Sequence, residues 1–362
     1  MSESQLGRID RFQHNPVLIL IPGFVLTAVL TAIAIHVGNM PCFINMGLSA
    51  LTLAILLGII VGNTLYPLLK PTCDKGVHFA KYYLLRAGII LYGFRLTFQQ
   101  IADIGTTGLL IDAIMLSSTF FIALWLGRTF LGLDSQTAVL IGAGSSICGA
   151  AAIMATEPVV KASASKVAVA VSTVVIFGTL AIFIYPWFYQ LNAHYQWLPF
   201  SQETFGIFSG STIHEVAQVI AVGHTLGNNA ENAAVISKMI RVMMLAPFLL
   251  LLSGYISRIE AKNFGSDQDQ KKSPVSIPWF AIFFIATAGL NSFHLLPGSL
   301  IKHIITADTI MLAMAMVALG LTTHVSAIRQ AGVKPILLAF FLFIWLIAGG
   351  LVVNQGIQRI LG

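Results

Sequence analysis

The sequence predicts an all-α polytopic membrane protein with about nine to eleven membrane segments, inverted structural repeats and two helices broken by Gly and Ser. Composition is the first observation behind this prediction, because 57% of the 362 residues are hydrophobic and only 9% are charged. A soluble domain normally carries about 25% charged residues. This chain has too few to cover a surface that faces water, so lipid must be its main solvent.

The apolar runs are the second observation. Eleven of them approach or reach the roughly 20 residues that cross a bilayer as a helix. Nine are uninterrupted, whereas 137–155 and 203–223 are broken by Gly and Ser or by charge. The uninterrupted runs are residues 17–37, 46–62, 79–94, 108–127, 167–188, 233–256, 277–296, 304–322 and 334–353.

One hydrophilic stretch divides the chain. Residues 257–273, SRIEAKNFGSDQDQKKS, have the composition of a solvated loop. We therefore predict a cytoplasmic tail over 1–16, a first membrane part over 17–256 that holds both broken helices, a cytoplasmic linker over 257–276, and a second membrane part over 277–362.

The distribution of Lys and Arg orients the membrane segments, because these residues concentrate in cytoplasmic loops. It places the N-terminus in the cytoplasm and the C-terminus in the periplasm. If the two broken segments enter the membrane and return, Lys161 and Lys166 lie inside and the charge-free loop 189–202 lies outside. If both segments cross, the two loops exchange sides and break the rule. The charge pattern therefore favours re-entrant segments.

Two internal resemblances are the third observation. GSSICGAAA (144–152) is similar to GSTIHEVAQ (210–218), and LYGFRLTFQQIADIG (91–105) is similar to ALGLTTHVSAIRQAG (318–332). The members of each pair are predicted to run in opposite directions. Inverted pairs with interrupted helices are typical of secondary transporters. The alternative is that the Gly and Ser residues only allow close helix packing.

The broken segments are the candidate binding site. A helix break exposes N–H groups at the start of the second half-helix, where the dipole is positive and attracts anions. We place the breaks at 144–146 and 210–212 and expect them to meet near the middle of the membrane. The predicted substrate-binding residues are Gly144, Ser145, Ser146, Gly210, Ser211, Thr212, Lys238 and Arg241.

Six charged or titratable groups also bear on this site. Lys238 and Arg241 either form a cationic wall for an anion or extend to a membrane face. His214 and Glu215 form a titratable pair that suits proton coupling, with a purely structural contact as the alternative. Arg86 and Asp112 are further candidate intramembrane charges.

Several function classes are disfavoured by the sequence. The basic residues are spread through loops, without the basic and aromatic clusters of a nucleic-acid surface. The chain has no P-loop, no H-E-x-x-H and no G-x-S-x-G motif, so we expect neither an enzyme nor an ATPase. Cys42, Cys73 and Cys148 have no metal-ligand spacing, and we expect no metal and no cofactor.

Five strings together resemble a known family. They are LTLAILLGIIVGNTLYP, LLRAGIILYGFRLTFQQIADIG, LIGAGSSICGAAAIMATEPVVKA, GSTIHEVAQV and ENAAVISKMIRVMMLAPF. They resemble the YeiH family of bacterial inner-membrane proteins, over about residues 17–353. That resemblance implies a multi-pass inner-membrane transporter, since the family carries the label of sulfate exporter. It also implies a distant likeness to cation–proton antiporters and bile-acid symporters, whose broken helices cross the membrane and so count against re-entrant segments.

Two functions follow as hypotheses. The first is a secondary transporter of a small inorganic anion, with sulfate or a related sulfur oxyanion exported, and with a proton or sodium as the coupling ion. The alternative is a cation–proton antiporter that uses an intramembrane carboxylate, Glu215 or Asp112. The lipid bilayer is the other partner, no nucleic acid is expected, and a homo-oligomer is left open.

The topology is testable by labelling single cysteines from outside the cell. We expect Gln268→Cys to stay unmodified in intact cells, because the linker is predicted to be cytoplasmic. Strong modification at this position would reverse the orientation. Ser163→Cys and Ala193→Cys then distinguish the two alternatives, since re-entrant segments leave position 163 protected and position 193 accessible.

Overall fold

The computed structural model describes residues 18–40, 43, 50–264, 279–323 and 332–361. These residues form fifteen α-helices, joined in places by short π-helical or 3₁₀ turns, and no strand occurs among them. Within the described ranges, each of the eleven predicted apolar runs is mostly helical, and runs 137–155 and 203–223 are each interrupted once. The predicted all-α fold is confirmed.

The helices group into two compact units, formed by the described residues of Met1–Arg95 with Phe284–Val325 and of Leu96–Phe283 with Ser326–Gly362. The helices that belong wholly to the first unit are α1 Ile21–Gly38, α2 Ala50–Thr64, α3 Tyr66–Phe79, α4 Leu85–Tyr92 and α14 Gly298–Leu321. Those of the second unit are α5 Phe98–Trp125, α6 Ser135–Ser146, α7 Ala150–Val160, α8 Ala164–Tyr195, α9 Gln202–Thr212, α10 Val216–Leu226, α11 Asn228–Met243, α12 Leu245–Phe264 and α15 Val333–Leu361. Helix α13, Trp279–Ser292, contributes to both.

Six helical stretches are long and apolar enough to cross a membrane. They are Ile21–Gly38, Phe98–Phe130, Ser165–Tyr195, Asn228–Ile256, Gly298–Leu321 and Val333–Ile360. Their outward faces carry large apolar side chains, such as Val29, Phe121 and Leu251, as expected of helices surrounded by lipid. The chain is therefore a polytopic membrane protein.

Close helix packing holds the first unit together. A Cβ atom on Gly58 of α2 would lie 2.4 Å from the carbonyl oxygen of Val317 on α14, and one on Gly320 would lie 2.4 Å from that of Ile55. The two helices touch backbone to backbone, which only small residues permit. Gly58 and Gly320 therefore form a packing seam between α2 and α14.

The first interrupted segment is a helical hairpin, which we call hairpin 1 (α6 and α7). Gln136 at the start of α6 donates from Nε2 to the carbonyl of Val160 at the end of α7, over 3.0 Å. Two collinear helices of twelve and eleven residues would separate these residues by about 35 Å. The segment therefore begins and ends at the same place, as the re-entrant interpretation requires.

The second interrupted segment, hairpin 2 (α9 and α10), has the same form. A Cβ on Gly227, just after α10, would lie 3.4 Å from the side-chain amide of Gln202 at the start of α9. Both legs also lie against α11, where Gly206 and Gly223 approach Ala230 and Glu231, neighbours on that helix. The two legs of hairpin 2 are therefore antiparallel.

The two hairpins start from opposite ends of α8, a 32-residue helix about 48 Å long. Hairpin 1 joins its N-terminal end, where Lys166 forms a 2.7 Å ion pair with Asp134, and hairpin 2 follows its C-terminal end. The closed ends lie near the middle of α8, because Gly144 approaches Val174 and Gln218 approaches Gly178. Two hairpins that enter from opposite ends thus meet halfway.

The predicted domain boundaries differ from the structure in two ways. Residues 257–264, predicted as linker, continue α12 as far as Phe264. The compact units are each built from separate stretches of chain, so they do not follow the predicted division at the linker. The tail 1–16 and linker residues 265–276 lie outside the described residues, and the inverted repeats stay a prediction.

Glycine contacts predict a stability difference within the membrane helices. Gly58→Leu should lower the thermal stability of the protein in detergent, because a backbone carbonyl must move; overpacking typically costs about 1–3 kcal/mol. Gly254→Leu on α12 is the matched control, since nothing lies within 4 Å of its added Cβ. Equal melting temperatures for the two variants would contradict this packing.

Candidate functional site

The helix breaks lie three residues beyond their predicted positions. Helix α6 continues through Ser146 and α9 through Thr212, so the interruptions are 147–149 and 213–215. Residues 144–146 and 210–212 stay helical, and the hydroxyls of Ser146, Ser211 and Thr212 donate to carbonyls of their own helices. The prediction that these residues are themselves the breaks was wrong.

Backbone geometry shows what interrupts the helices instead. Gly149 has φ +69, a left-handed value that side chains disfavour, and it reverses hairpin 1. In hairpin 2, Ile213 and Glu215 are extended, with ψ 149 for both. The closed ends, which we call the tips, are therefore 147–149 and 213–215.

Lys238 of α11 joins the two tips. Its Nζ donates to the carbonyl of Ile147 over 2.8 Å and to that of Ile213 over 2.6 Å. The side chain is 0% exposed. A buried ammonium is costly unless it is hydrogen-bonded, and here one amine receives an oxygen from each hairpin.

Arg241, one helical turn further on α11, repeats this bridge. Its Nε donates to the carbonyl of Ser146 over 2.6 Å and its Nη2 to that of Ser145 over 3.1 Å, both in hairpin 1. Its Nη1 donates to the carbonyl of Ser211 in hairpin 2. The C-terminal ends of α6 and α9 carry negative dipole charge, so two cations suit this position.

In this conformation the two cations bind backbone carbonyls and do not form the predicted open cationic wall. Lys238 and Arg241 are 0% exposed, and their donors meet backbone carbonyls. Neither cation extends to a membrane face, so that alternative is wrong. Contact between either cation and a transported anion stays a prediction.

The positive ends of the second half-helices meet at Glu215. Its carboxylate caps its own helix, α10, by accepting from the backbone N–H of Gln218, whose side chain in turn accepts from Glu215 N over 3.0 Å. A Cβ on Gly149, the N-cap of α7, would lie 2.6 Å from Glu215 Cγ and 3.1 Å from its Oε1. One carboxylate thus lies at the N-terminal ends of both α7 and α10, where a negative charge is favoured.

Asp112 on α5 places a second carboxylate near Lys238 and Arg241. It is 0% exposed, and its Oδ2 accepts from Ser237 over 3.4 Å. Its Oδ1 has no hydrogen-bond partner among the described residues. Its charge interacts with those of Arg241 and Lys238, so the predicted intramembrane charge belongs to the same cluster.

His214 and Arg86 are placed differently from the rest. His214 lies at the tip of hairpin 2, 1% exposed, with its ring 6.4 Å from that of Phe343. Neither ring nitrogen has a hydrogen-bond partner among the described residues, so His214 and Glu215 are not a hydrogen-bonded pair here. Arg86 lies on α4 of the first unit with its side chain exposed.

Ser145 differs from its neighbouring hydroxyls. Its side chain is 1% exposed and its Oγ has no hydrogen-bond partner among the described residues. Ser211 Oγ instead accepts from Asn354 over 3.2 Å, and Thr212 accepts from Tyr185 over 2.8 Å. Ser145 is therefore the predicted site residue whose hydroxyl is available to a ligand.

Sequence reasoning missed a buried ion pair in the first unit. Arg95 lies 2.8 Å from Asp308 on α14, which is 0% exposed, and it also donates to Thr309. Asp308 interrupts an apolar run in ITADTIM, and an intramembrane carboxylate is a functional candidate by default. The signal was present in the sequence and could have been used.

No group of three or more His, Cys, Asp or Glu side chains that could hold a metal ion occurs among the described residues. Cys73 and Cys148 are buried free thiols, and Cys42 lies outside the described residues.

Comparison with known proteins identifies the family. The model of the family described as conserved hypothetical protein 698 matches residues 22–339. A UPF0324 membrane protein of Photorhabdus laumondii is 71% identical over 362 residues, with 100% of both chains covered. This chain belongs to the UPF0324 family.

Other UPF0324 members support the resemblance seen in the sequence. The inner membrane protein YeiH of Escherichia coli K12 is 60% identical over 349 residues, covering 96% of this chain and 97% of its own. A UPF0324 membrane protein of Yersinia pestis is 68% identical over 361 residues, covering 99% of each. The predicted YeiH relationship is confirmed, and no solved structure matches the chain.

The tip contacts predict that Arg241→Met destabilises the protein strongly. The change leaves three buried carbonyls unpaired, and each hydrogen bond to a charged group typically contributes about 1.5–3 kcal/mol. Thermal unfolding in detergent measures the loss. Arg359→Met, at an exposed position near the end of α15, should be close to neutral.

Proposed function

We propose that the protein is a secondary transporter of a small anion in the bacterial inner membrane, with its binding site between the tips of the two hairpins. The observation that carries this proposal is the meeting of two helical hairpins, one from each end of α8, around buried charges. Irregular backbone at membrane depth survives only where it is buried in protein or lines a water cavity. Such interrupted helices form the ion and substrate sites of many transporters.

The polarity of the tips favours an anion. The five carbonyls at the C-terminal ends of α6 and α9 are already hydrogen-bonded by Lys238 and Arg241. The positive ends of α7 and α10 are matched by a carboxylate, Glu215. An anion from solution would fit where this carboxylate lies. The donors that we propose for it are the first backbone N–H groups of α7 and the free hydroxyl of Ser145.

Glu215 suits proton coupling better than His214 does. Its side chain is half-buried, so a proton can reach it, and Lys238 interacts with its charge. Protonation of Glu215 removes one negative charge from a cluster of two cations and two carboxylates. The cluster then carries a net positive charge and accepts an anion. The other assigned residues, Gly144, Ser146, Gly210, Ser211 and Thr212, lie in the last turns of α6 and α9, next to the tips.

Sulfate or a related sulfur oxyanion is the finer form of the proposal. A tetrahedral oxyanion accepts several hydrogen bonds at once, which suits a site built from backbone N–H groups and a hydroxyl. The resemblance to a family labelled as sulfate exporters supports both the substrate and the outward direction.

A cation–proton antiporter is the second candidate, because of Asp112. This buried carboxylate has one oxygen without a hydrogen-bond partner among the described residues. An oxygen of this kind could bind a sodium ion or a proton. Asp112→Asn should then abolish cation exchange, whereas in an anion transporter it should leave anion selectivity intact.

Flux in proteoliposomes separates the two functions. We expect saturable counterflow of sulfate, sulfite or an organosulfonate, and no exchange of sodium for protons. Sodium–proton exchange without anion flux would replace the first function by the second.

Glu215→Gln should uncouple anion flux from the proton gradient. The amide keeps the shape and part of the capping of Glu215 but cannot ionise. We therefore expect anion counterflow to persist while its dependence on pH between about 5 and 8 becomes flat. A pH profile identical to that of the unaltered protein would show that Glu215 carries no proton.

Ser145→Ala removes a single hydroxyl and should raise the KM for the anion about tenfold, as expected for the loss of one hydrogen bond to a charged ligand. Ser172→Ala is its control, because that exposed hydroxyl bonds the Ala168 carbonyl of its own helix. An unchanged KM for Ser145→Ala would remove this residue from the proposed site.

A further inference from the structure

A cavity lies in the second unit, away from the hairpin tips. It has a volume of about 970 Å³ and is enclosed by α5, hairpin 1 and α12. Ligand cavities of drug-sized molecules have about 300–1,000 Å³, so this one can take a large ligand. We call it the lateral groove, because exposed apolar side chains such as Phe121 and Leu251 border it.

The lateral groove is polar at one end and apolar along the rest. Ala113, Leu116 and Pro247 line the apolar part, whereas Arg128 and Gln136 lie at the end where hairpin 1 opens. Fifteen helical residues separate Ala113 from Arg128, or about 22 Å. One leaflet of the hydrocarbon core is about 15 Å thick, so the groove runs the depth of a leaflet.

Aromatic residues mark the polar end as a membrane interface. Tyr255 lines the groove there and is 64% exposed, and Trp125 stands beside Arg128 with 59% of its surface exposed. Trp and Tyr concentrate where lipid headgroups meet the hydrocarbon core. The groove thus has its polar end at headgroup level and its apolar part among the acyl chains.

Arg128 is a cation at the polar end of the groove that is unpaired among the residues that the structure describes. Its guanidinium is exposed and has no hydrogen-bond or ion-pair partner among the described residues. Asp134 is the acidic group nearest in sequence, and its carboxylate is neutralised by Lys166 at 2.7 Å. Gln136 is likewise engaged, with Val160 and Lys166. A guanidinium of this kind matches a phosphate well.

We propose that the lateral groove binds an anionic phospholipid, with the phosphate on Arg128 and an acyl chain along α5 and α12. The length, the apolar lining and the position of the cation each fit this ligand. The exposed charge of Arg128 favours a lipid such as phosphatidylglycerol over phosphatidylcholine, because a headgroup with net negative charge gains more from a guanidinium than a zwitterionic headgroup does. This site does not depend on which substrate the hairpin tips transport.

Native mass spectrometry tests the proposal on the full-length protein in detergent, with phosphatidylglycerol and phosphatidylcholine as the probes. The unaltered protein should bind phosphatidylglycerol about fivefold more tightly than phosphatidylcholine. Arg128→Gln should remove this preference, since one cation near the headgroups contributes roughly that factor. Arg128→Lys should keep most of it. Arg359→Gln, which removes an exposed arginine far along the chain on α15, should change nothing.

The apolar part of the groove has its own variant. Ser117 is exposed and lines the groove, so Ser117→Trp fills the space without altering the buried core. We expect it to weaken binding of both lipids. Equal affinity of the unaltered protein for the two lipids would overturn the proposal, as would an Arg128→Gln variant that still prefers phosphatidylglycerol. Loss of lipid binding in the Arg359→Gln control would also overturn it.

Discussion

The carbonyl contacts of Lys238 and Arg241 are the interaction on which the second unit depends. Two helix ends that stop inside a membrane leave several carbonyls without partners, and each unsatisfied group costs several kcal/mol in lipid. Two cations one helical turn apart on α11 satisfy five of these carbonyls, drawn from both hairpins. Without them, neither hairpin could end at this depth.

The first consequence is a separation of charge at the tips. The negative ends of α6 and α9 face the cations, and the positive ends of α7 and α10 face Glu215. Each half-helix thus has a charge of opposite sign at its inner end. In a site whose cations and carboxylates are already paired with helix ends, protonation of one carboxylate changes the affinity of the site for an ion.

Composition and periodicity predicted most of the fold but less of the site. The apolar runs and the interruption of two of them followed from hydrophobicity, and the hairpin form of the interrupted segments agrees with the placement of Lys161 and Lys166. The break positions did not, because Ser146 and Ser211 bond back to their own helices and extend them. Lys238 and Arg241 were predicted to belong to the site, yet their carbonyl partners depend on long-range packing that residue types alone do not encode. Asp308 was overlooked although its pattern was visible.

The reversed backbone of Gly149 has a further consequence. Any side chain at this position would meet Glu215, and φ +69 already disfavours one. The one residue that lets hairpin 1 turn is also the one that lets the carboxylate of hairpin 2 approach. Gly149 therefore sets both the turn of hairpin 1 and its contact with hairpin 2. A mutation at this position cannot alter the shape of hairpin 1 while leaving its contact with hairpin 2 intact.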